Sequence, residues 1–237
     1  MATELKIARG PGGGGAAVPP NFREDAITKG FYIDGELRTW EHFKTQIVSA
    51  LNAFEATDDD LQKRAVGARL LPSHGNPISP FSNAMIRFVN LAKQTAANGR
   101  KVIFVGNGGS AAICSHMAVD WTKNGGIRSI ALNDSATLTC FGNDYGYEHV
   151  FAKQLAAYSD LDDLVVIISS SGRSPNILET GRWCRENGRA TVTLSGMVHT
   201  NKLRRMGAIN FYVPSNDYGT VELAHCFLLH SVVSVKW

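Results

Sequence analysis

The spacing of apolar residues in the first part of the chain predicts helices. Apolar residues recur every three or four positions over residues 39–54, which is the period of one buried helix face. A second helix is predicted over 80–98, because Pro80 suits a first turn and Gly99 suits the position after the last one. Residues 57–79, which contain prolines and consecutive aspartates, predict a loop with at most a short helix.

From residue 101 onward, short β-rich runs alternate with helical stretches. The predicted strands are Val102–Val105, Ser129–Leu132, Leu164–Ser169, Ala190–Leu194 and Phe211–Val213. Helices are predicted near 109–123, 148–157, 174–187, 200–206 and 219–236. Strands that alternate with helices predict an α/β fold, a parallel sheet with helices on both faces. Ligands of such sheets bind beyond the carboxyl ends of the strands.

The domain organisation follows from these patterns. Residues 1–30 contain a glycine run and a Pro-Pro pair, so they predict a disordered tail or linker. Residues 31–237 are interpreted as one domain, with an N-terminal helical part at 31–100 and an α/β core at 101–237.

Composition and charge exclude several classes of protein. No stretch reaches the ~18 apolar residues of a membrane helix, and no secretory signal is visible. The net charge of +3 is mild, and a nucleic-acid binder would usually show a clustered basic stripe; the nearest such cluster, Lys202–Arg205, is interpreted as a solvated helix face. The 4 cysteines form no C-x-x-C pair. We therefore expect a reduced cytoplasmic protein with buried thiols, and neither a membrane nor a nucleic acid as partner.

A glycine-rich loop follows the first core strand and opens a helix. It reads Val105-Gly106-Asn107-Gly108-Gly109-Ser110, and its glycines allow a ligand to approach the backbone at a positive helix end. Gly106-x-Gly108-x-x-Ala111 also resembles a dinucleotide fingerprint, but Asp134 lies 28 residues after Gly106 instead of about 20. A tight strand–helix turn is the other interpretation.

A serine-rich loop follows the central strand. Ser169-Ser170-Ser171-Gly172-Arg173-Ser174 precedes Pro175 and a helix. Four hydroxyls and several backbone N–H groups at one helix N-terminus favour a phosphate-binding site made of neutral donors. A single serine here would be an ordinary helix cap, but three consecutive serines and a fourth are not explained by capping alone.

Imidazole and carboxylate groups occur on two predicted helices. His116 and Asp120 are four residues apart, so they share one helix face. Glu222 and His230 lie about two turns apart on the last helix. Together they would form a divalent-metal or acid–base centre. His225 lies off that line and is interpreted as a structural, hydrogen-bonded histidine.

These motifs together resemble the SIS-domain family, in its phosphoheptose isomerase branch. The resemblance covers about residues 80–237 and rests on motifs in the family's order: Gly106–Ser110, His116, Cys140-x-Gly142-Asn143-Asp144-Tyr145-Gly146, Ser169–Gly172 with Ser174, and the last helix with His225 and His230.

The resemblance implies a fold, an assembly and a reaction. The fold would be a five-stranded parallel sheet flanked by helices, a flavodoxin-like three-layer sandwich with extra N-terminal helices. The assembly would be a homotetramer with active sites at subunit interfaces. The reaction would convert sedoheptulose 7-phosphate into a D-glycero-D-manno-heptose 7-phosphate through an enediol, for heptose and glycan biosynthesis.

The resemblance also implies roles for individual residues. Substrate-binding residues would be Asn107, Gly108, Gly109, Ser110, Asn143, Asp144, Ser169, Ser170, Ser171 and Ser174. One divalent ion, expected to be zinc, would be held by His116, Asp120, Glu222 and His230, and catalysis would fall to Asp120, Glu222 and His230.

Two positions depart from the family's pattern. The family has glutamate where this chain has Asp120, and glutamine where it has Glu222. Our hypothesis is that the pair has exchanged duties, so that Asp120 binds metal and Glu222 acts as base. The alternatives are a weakened active site, an isomerase for another sugar phosphate, or a non-catalytic SIS module that binds a sugar phosphate or a protein partner.

Overall fold

The computed structural model describes residues 31–33, 36–38, 40–58 and 80–235. The predicted tail at 1–30 and most of the predicted loop at 57–79 lie outside the described residues. The chain divides into two compact units, residues 1–44 and residues 45–237. In the first unit, β1 (Phe31–Ile33) pairs with β2 (Glu36–Arg38) as an antiparallel hairpin, which the sequence patterns did not predict.

The second unit contains a sheet of six strands in the order β3-β8-β7-β6-β4-β5. The strands are β3 (Glu55–Asp58), β4 (Val102–Gly106), β5 (Ser129–Ala131), β6 (Leu164–Ser169), β7 (Ala190–Gly196) and β8 (Ile209–Val213). The last five are parallel, as predicted. β3 is an additional strand that pairs antiparallel with β8, so Thr57 and Asp58, which were predicted to open the loop, lie in a strand.

Helices lie between most of the strands along the described part of the chain, and one follows the last strand. They are α1 (Trp40–Asn52), α2 (Pro80–Ala97), α3 (Gly109–Lys123), α4 (Ser135–Tyr145), α5 (Val150–Tyr158), α6 (Pro175–Glu186) and α7 (Tyr218–Val233). The helix predicted near 148–157 begins only at Val150, because Tyr147–His149 form a 3₁₀ turn. The helix predicted near 200–206 is the short 3₁₀ turn Lys202–Arg205. α4 was not predicted. Asp134 caps it by accepting a hydrogen bond from the Thr137 backbone N–H, so this carboxylate serves a helix and not a ribose.

The core lies on both faces of the sheet, because its central strands are apolar throughout. Every residue of β4 and β6 is buried. Val102 and Phe104 belong to the cluster on one face, whereas Ile103 and Val105 belong to the cluster on the other. Successive side chains of a strand point to opposite faces, so a continuous apolar run requires helices on both.

The strand register determines where a ligand can bind. Gly106, the last residue of β4, pairs with Ile168 near the end of β6. The glycine loop and the serine loop therefore leave neighbouring strands side by side at the carboxyl edge of the sheet. Within the described part of the chain, no helix combines the length and apolarity needed to cross a bilayer.

Candidate active site

The serine loop presents hydroxyls that are not consumed by capping. Ser169 is buried, and its Oγ accepts a hydrogen bond of 3.1 Å from the Gly172 N–H. Ser170 Oγ is buried and has no hydrogen-bond partner among the described residues. Ser174 is the N-cap residue of α6, yet within the described chain its hydroxyl makes no capping hydrogen bond. A buried hydroxyl without a partner is costly, so the loop is suited to an anion that accepts from it.

Gly172 gives the loop its sharp turn. Its φ is 60°, in the left-handed region that favours glycine, and a β-carbon there would lie 2.2 Å from Asn201 Oδ1. Asn201 is itself fixed, because its side-chain amide donates to the Gly196 and Val198 carbonyls. The side chain of Asn201 therefore supports the turn from outside the loop.

The glycine loop brings a carboxylate against the start of α3. A β-carbon on Gly109 would lie 2.5 Å from both Glu222 carboxylate oxygens. Glu222 projects from the second turn of α7 and is half-buried. Burial raises the pKa of the Glu222 carboxyl above its usual range, because the charged form loses solvation. The Glu222 carboxylate, with its raised pKa, thus lies where a residue with a β-carbon at position 109 would collide with it.

A cluster of two histidines and an aspartate lies between α3 and α7. His116 Nε2 is 3.2 Å from His230 Nε2. Asp120 Oδ2 is 3.7 Å from His116 Nε2 and 3.4 Å from His230 Nδ1. The other oxygen, Asp120 Oδ1, accepts a hydrogen bond from the Asn124 side chain. This contact orients Oδ2 toward both imidazoles.

The donor set of this cluster fits zinc. One ligand atom from each of the three residues can be chosen so that all lie within 4.8 Å of one another. In tetrahedral zinc sites the donors lie at about 2.0–2.2 Å from the ion, hence about 3.3–3.6 Å apart. Three protein ligands would leave a fourth position for an oxygen of the substrate or water.

Asn107 is held by a residue that the sequence patterns missed. The side-chain amides of Asn107 and Asn176 exchange two hydrogen bonds of 2.9 Å, so the glycine loop is tied to the first turn of α6. Tyr147 also reaches Asn107 Oδ1, at 3.4 Å. Asn176 is buried. Asn176 follows Ser174 by only two residues, and this closeness to the serine loop was a signal that it belongs to the site. Nothing in the sequence indicated that Asn107 is its partner.

The remaining predicted substrate residues lie at the end of α4. Asn143 and Asp144 are both exposed, and the Asn143 amide donates to Asp144 Oδ1. Cys140 Sγ lies 3.8 Å from Asp144 Oδ2. Cys140 is exposed and Cys226 half-buried, so the expectation of buried thiols is confirmed only for Cys114 and Cys184.

His225 is structural, as interpreted from the sequence. It is fully buried and its Nε2 lies 3.2 Å from the Ser195 carbonyl. Within the described structure its Nδ1 has no partner. Burial lowers the pKa of His225 to about 4, so the ring is neutral.

The structure thus brings together three of the four predicted metal ligands. His116, Asp120 and His230 form the cluster, whereas Glu222 is not part of it in the described chain and lies beside Gly109. Glu222 and His230 are eight residues apart on α7, which is about 12 Å along the helix axis. Ser110, predicted at the substrate, is buried in the first turn of α3.

Comparisons with known proteins place these features in a family. The model of the SIS domain matches residues 81–196. The chain is 36% identical to the phosphoheptose isomerase of Aliarcobacter butzleri over 151 residues, which is 61% of this chain and 79% of the relative. It is 40% identical to the phosphoheptose isomerase of Solidesulfovibrio magneticus over 179 residues, or 71% of this chain and 79% of the relative.

Solved structures give the same result. The phosphoheptose isomerase of Neisseria gonorrhoeae superposes with a TM-score of 0.62 at 27% identity, covering 81% of this chain and 96% of that one. The phosphoheptose isomerase of Francisella tularensis, at 24% identity, shares the fold with a TM-score of 0.62.

Proposed function

The chain belongs to the SIS-domain family, in its phosphoheptose isomerase branch, and from this premise we propose that it interconverts sedoheptulose 7-phosphate and D-glycero-D-manno-heptose 7-phosphate. The observation that carries the proposal is the position of the Glu222 carboxylate, which meets the glycine loop beside the phosphate-binding serine loop. An isomerase of this kind requires a base at the reacting carbons and a binding site for the phosphate at the other end of the substrate.

The serine loop supplies the grip on the phosphate. Ser170, Ser171 and Ser174 donate hydroxyl hydrogen bonds, and the N-terminus of α6 adds backbone N–H groups and a positive dipole end. Binding energy from this remote group holds the reacting carbons in place, which contributes to rate through positioning.

Glu222 acts as the base. It removes a proton from C1 of the ketose while the C2 carbonyl oxygen gains one, which gives the enediol. The C1 hydroxyl then loses its proton and C2 receives one, so that the aldose forms with no outside reagent. A carboxyl whose pKa is raised by burial is a better proton acceptor than an ordinary one.

His230 and His116 act on the oxygen atoms bound to C1 and C2. Their rings, which Asp120 contacts, relay protons between the two oxygens or bind the ion that the cluster fits. Zinc bound by His116, Asp120 and His230 would polarise the carbonyl as a Lewis acid. This arrangement supports the hypothesis that Asp120 and Glu222 have exchanged duties relative to the family's pattern.

Asn107, Asn143 and Asp144 orient the hydroxyls of the sugar. Asn107 of the glycine loop is joined to Asn176 beside the serine loop, which supports a role in contacting the sugar between the two loops. Gly108 leaves the start of α3 open to the sugar, because a β-carbon there would meet no described atom within 4 Å.

A further copy of the chain completes the site in this proposal. Val119, Leu223 and Phe227 are 61%, 47% and 55% exposed, and they flank the cluster on α3 and α7. Apolar side chains grouped in this way indicate an interface. The molar mass in solution, measured by light scattering for the native chain and for Phe227→Asp, tests it: we expect an oligomer, a tetramer by the resemblance, that the substitution weakens.

The experiment for the reaction is incubation with sedoheptulose 7-phosphate and detection of the aldose product by NMR. A fall in turnover of about 10²-fold or more in Glu222→Gln supports the proposal. Saturable binding of the sugar phosphate without any product would instead support the non-catalytic SIS module.

A further inference from the structure

A basic cleft lies along the outer side of α6, and of its lining residues only Asn201, which supports Gly172 from outside the serine loop, takes part in the candidate active site. It has a volume of about 460 Å³ and runs between α6 and the connection from β7 to β8. Its principal residues are Leu178, Arg182, Arg185, Lys202, Arg205 and Met206. The sequence interpretation of Lys202–Arg205 as a solvated face holds only for Lys202 and Arg205, because Leu203 and Arg204 are buried.

The cleft concentrates positive charge. Arg182, Arg185, Lys202 and Arg205 are all exposed, and no carboxylate lines the cleft among the described residues. Arg182 also forms an ion pair with Glu179, three residues before it on α6. Cations gathered on one concave surface repel each other and attract an anion, and the low-dielectric walls strengthen that attraction.

The floor of the cleft is apolar. Leu178 and Met206 are half-buried beneath the cations. Met206 is fixed against α6, because a β-carbon on Gly181 would lie only 3.0 Å from its methyl group. The walls are joined as well, since Arg185 donates a hydrogen bond of 2.7 Å to the Arg205 carbonyl. The cleft is therefore preformed, and its size falls within the range of about 300–1,000 Å³ typical of small-molecule sites.

We propose that this cleft binds a nucleoside diphosphate. Lys202 and Arg205 contact the diphosphate, together with the free N–H groups of Arg182 and Arg185, while the base lies on Leu178 and Met206. Planar guanidinium groups suit phosphate oxygens, and an apolar floor suits a flat ring. Inorganic phosphate alone would leave the floor unused, and a nucleic acid would need a basic surface longer than one cleft.

Calorimetric titration of the full chain with ADP tests the proposal. We expect saturable binding that is at least tenfold tighter than binding of pyrophosphate or adenosine, because each of these probes lacks one half of the contacts. Lys202→Ala/Arg205→Ala should weaken ADP binding at least tenfold. The matched control is Arg100→Ala/Arg128→Ala, which removes the same charge next to β4 and β5 and should leave binding unchanged.

Two further measurements keep the result interpretable. Ser171→Ala should bind ADP as the native chain does, because the serine loop is a separate anion site. Thermal unfolding of the double variant should match that of the native chain, which shows that both fold. Absence of ADP binding to the native chain, equal loss in the control variant, or loss in Ser171→Ala would each overturn the proposal.

Discussion

The Glu222 carboxylate occupies the space that a side chain at position 109 would fill, with both oxygens 2.5 Å from the β-carbon that Gly109 lacks. The glycine loop and α7 are thus fitted to each other. Any residue with a β-carbon at position 109 would displace the carboxylate. Gly109→Ala should therefore impair the same step as loss of Glu222.

Glu222→Gln tests the base directly. We expect kcat to fall about 10²- to 10⁴-fold with little change in KM, because general-base catalysis contributes this much while binding is carried by the phosphate. Glu148→Gln, an exposed glutamate outside the site, is the matched control. The native enzyme should lose kcat/KM on the acid side at a pH above the ordinary glutamate pKa, because burial raises the pKa of Glu222 and the base must be unprotonated. Full activity of Glu222→Gln would contradict the assignment.

The His116–Asp120–His230 cluster should account for any bound zinc. Elemental analysis of the native chain is expected to give about one zinc per chain, and His116→Ala and His230→Ala should each abolish it. Asp120→Asn should weaken retention, because it removes the carboxylate ligand. Glu222→Gln serves as the contrast and should keep its zinc, since its carboxylate lies beside Gly109. Zinc lost from Glu222→Gln alone would show that Glu222 is a ligand after all.

The serine loop predicts a phosphate-specific effect on binding. Ser171→Ala and Ser174→Ala should each raise KM for the sugar phosphate about tenfold or more, because a hydrogen bond to a charged group is worth about 1.5–3 kcal/mol. Unphosphorylated sedoheptulose is the control substrate, and any slow turnover of it should be unaffected. An unchanged KM in both variants would place the phosphate elsewhere.

The reciprocal amide pair between Asn107 and Asn176 predicts coupling between two loops. Asn176→Ala should lower kcat/KM about tenfold, because Asn107 loses the partner that orients it. In this proposal Asn176 itself does not contact the substrate. The double variant with Asn107→Ala should be little worse than Asn107→Ala alone, since interacting residues are not additive. Additive losses would argue that Asn176 acts by some other route.

His225 makes stability depend on pH. Its pKa falls from 6.5 to about 4 on folding, so only the unfolded chain takes up a proton between these values. The free energy of unfolding should decrease by about 3 kcal/mol as the pH falls from above 6.5 to about 4. Urea unfolding at a series of pH values measures this. His225→Gln can still donate to the Ser195 carbonyl and cannot titrate, so its stability should fall less steeply.

The sequence predicted the five parallel strands because each is rich in apolar or β-branched residues between helical stretches, and β4 and β6 are buried along their whole length. It could not predict β3, whose residues Glu55–Asp58 are largely polar and whose partner β8 lies about 150 residues further along. α4 escaped prediction for a related reason. None of its residues is buried, so it leaves no apolar period to recognise.

In the candidate site, too, local relationships could be predicted from the sequence, whereas contacts between distant residues could not. The spacing of His116 and Asp120 indicated one helix face, because that relationship is local. Which of Asp120 and Glu222 faces the histidines depends on how α3 and α7 pack, and the sequence left that open. Asn176 was missed because its partner Asn107 precedes it by 69 residues.

The antiparallel strand β3 also affects how the folded chain avoids self-association. It covers the outer backbone groups of β8, which would otherwise form an open edge able to pair with another molecule. An ion pair between Glu55 and Arg204, whose guanidinium also lies over the Tyr212 ring, holds this strand in place. This short, largely polar strand thus protects the edge of the sheet against pairing with the sheet of another molecule.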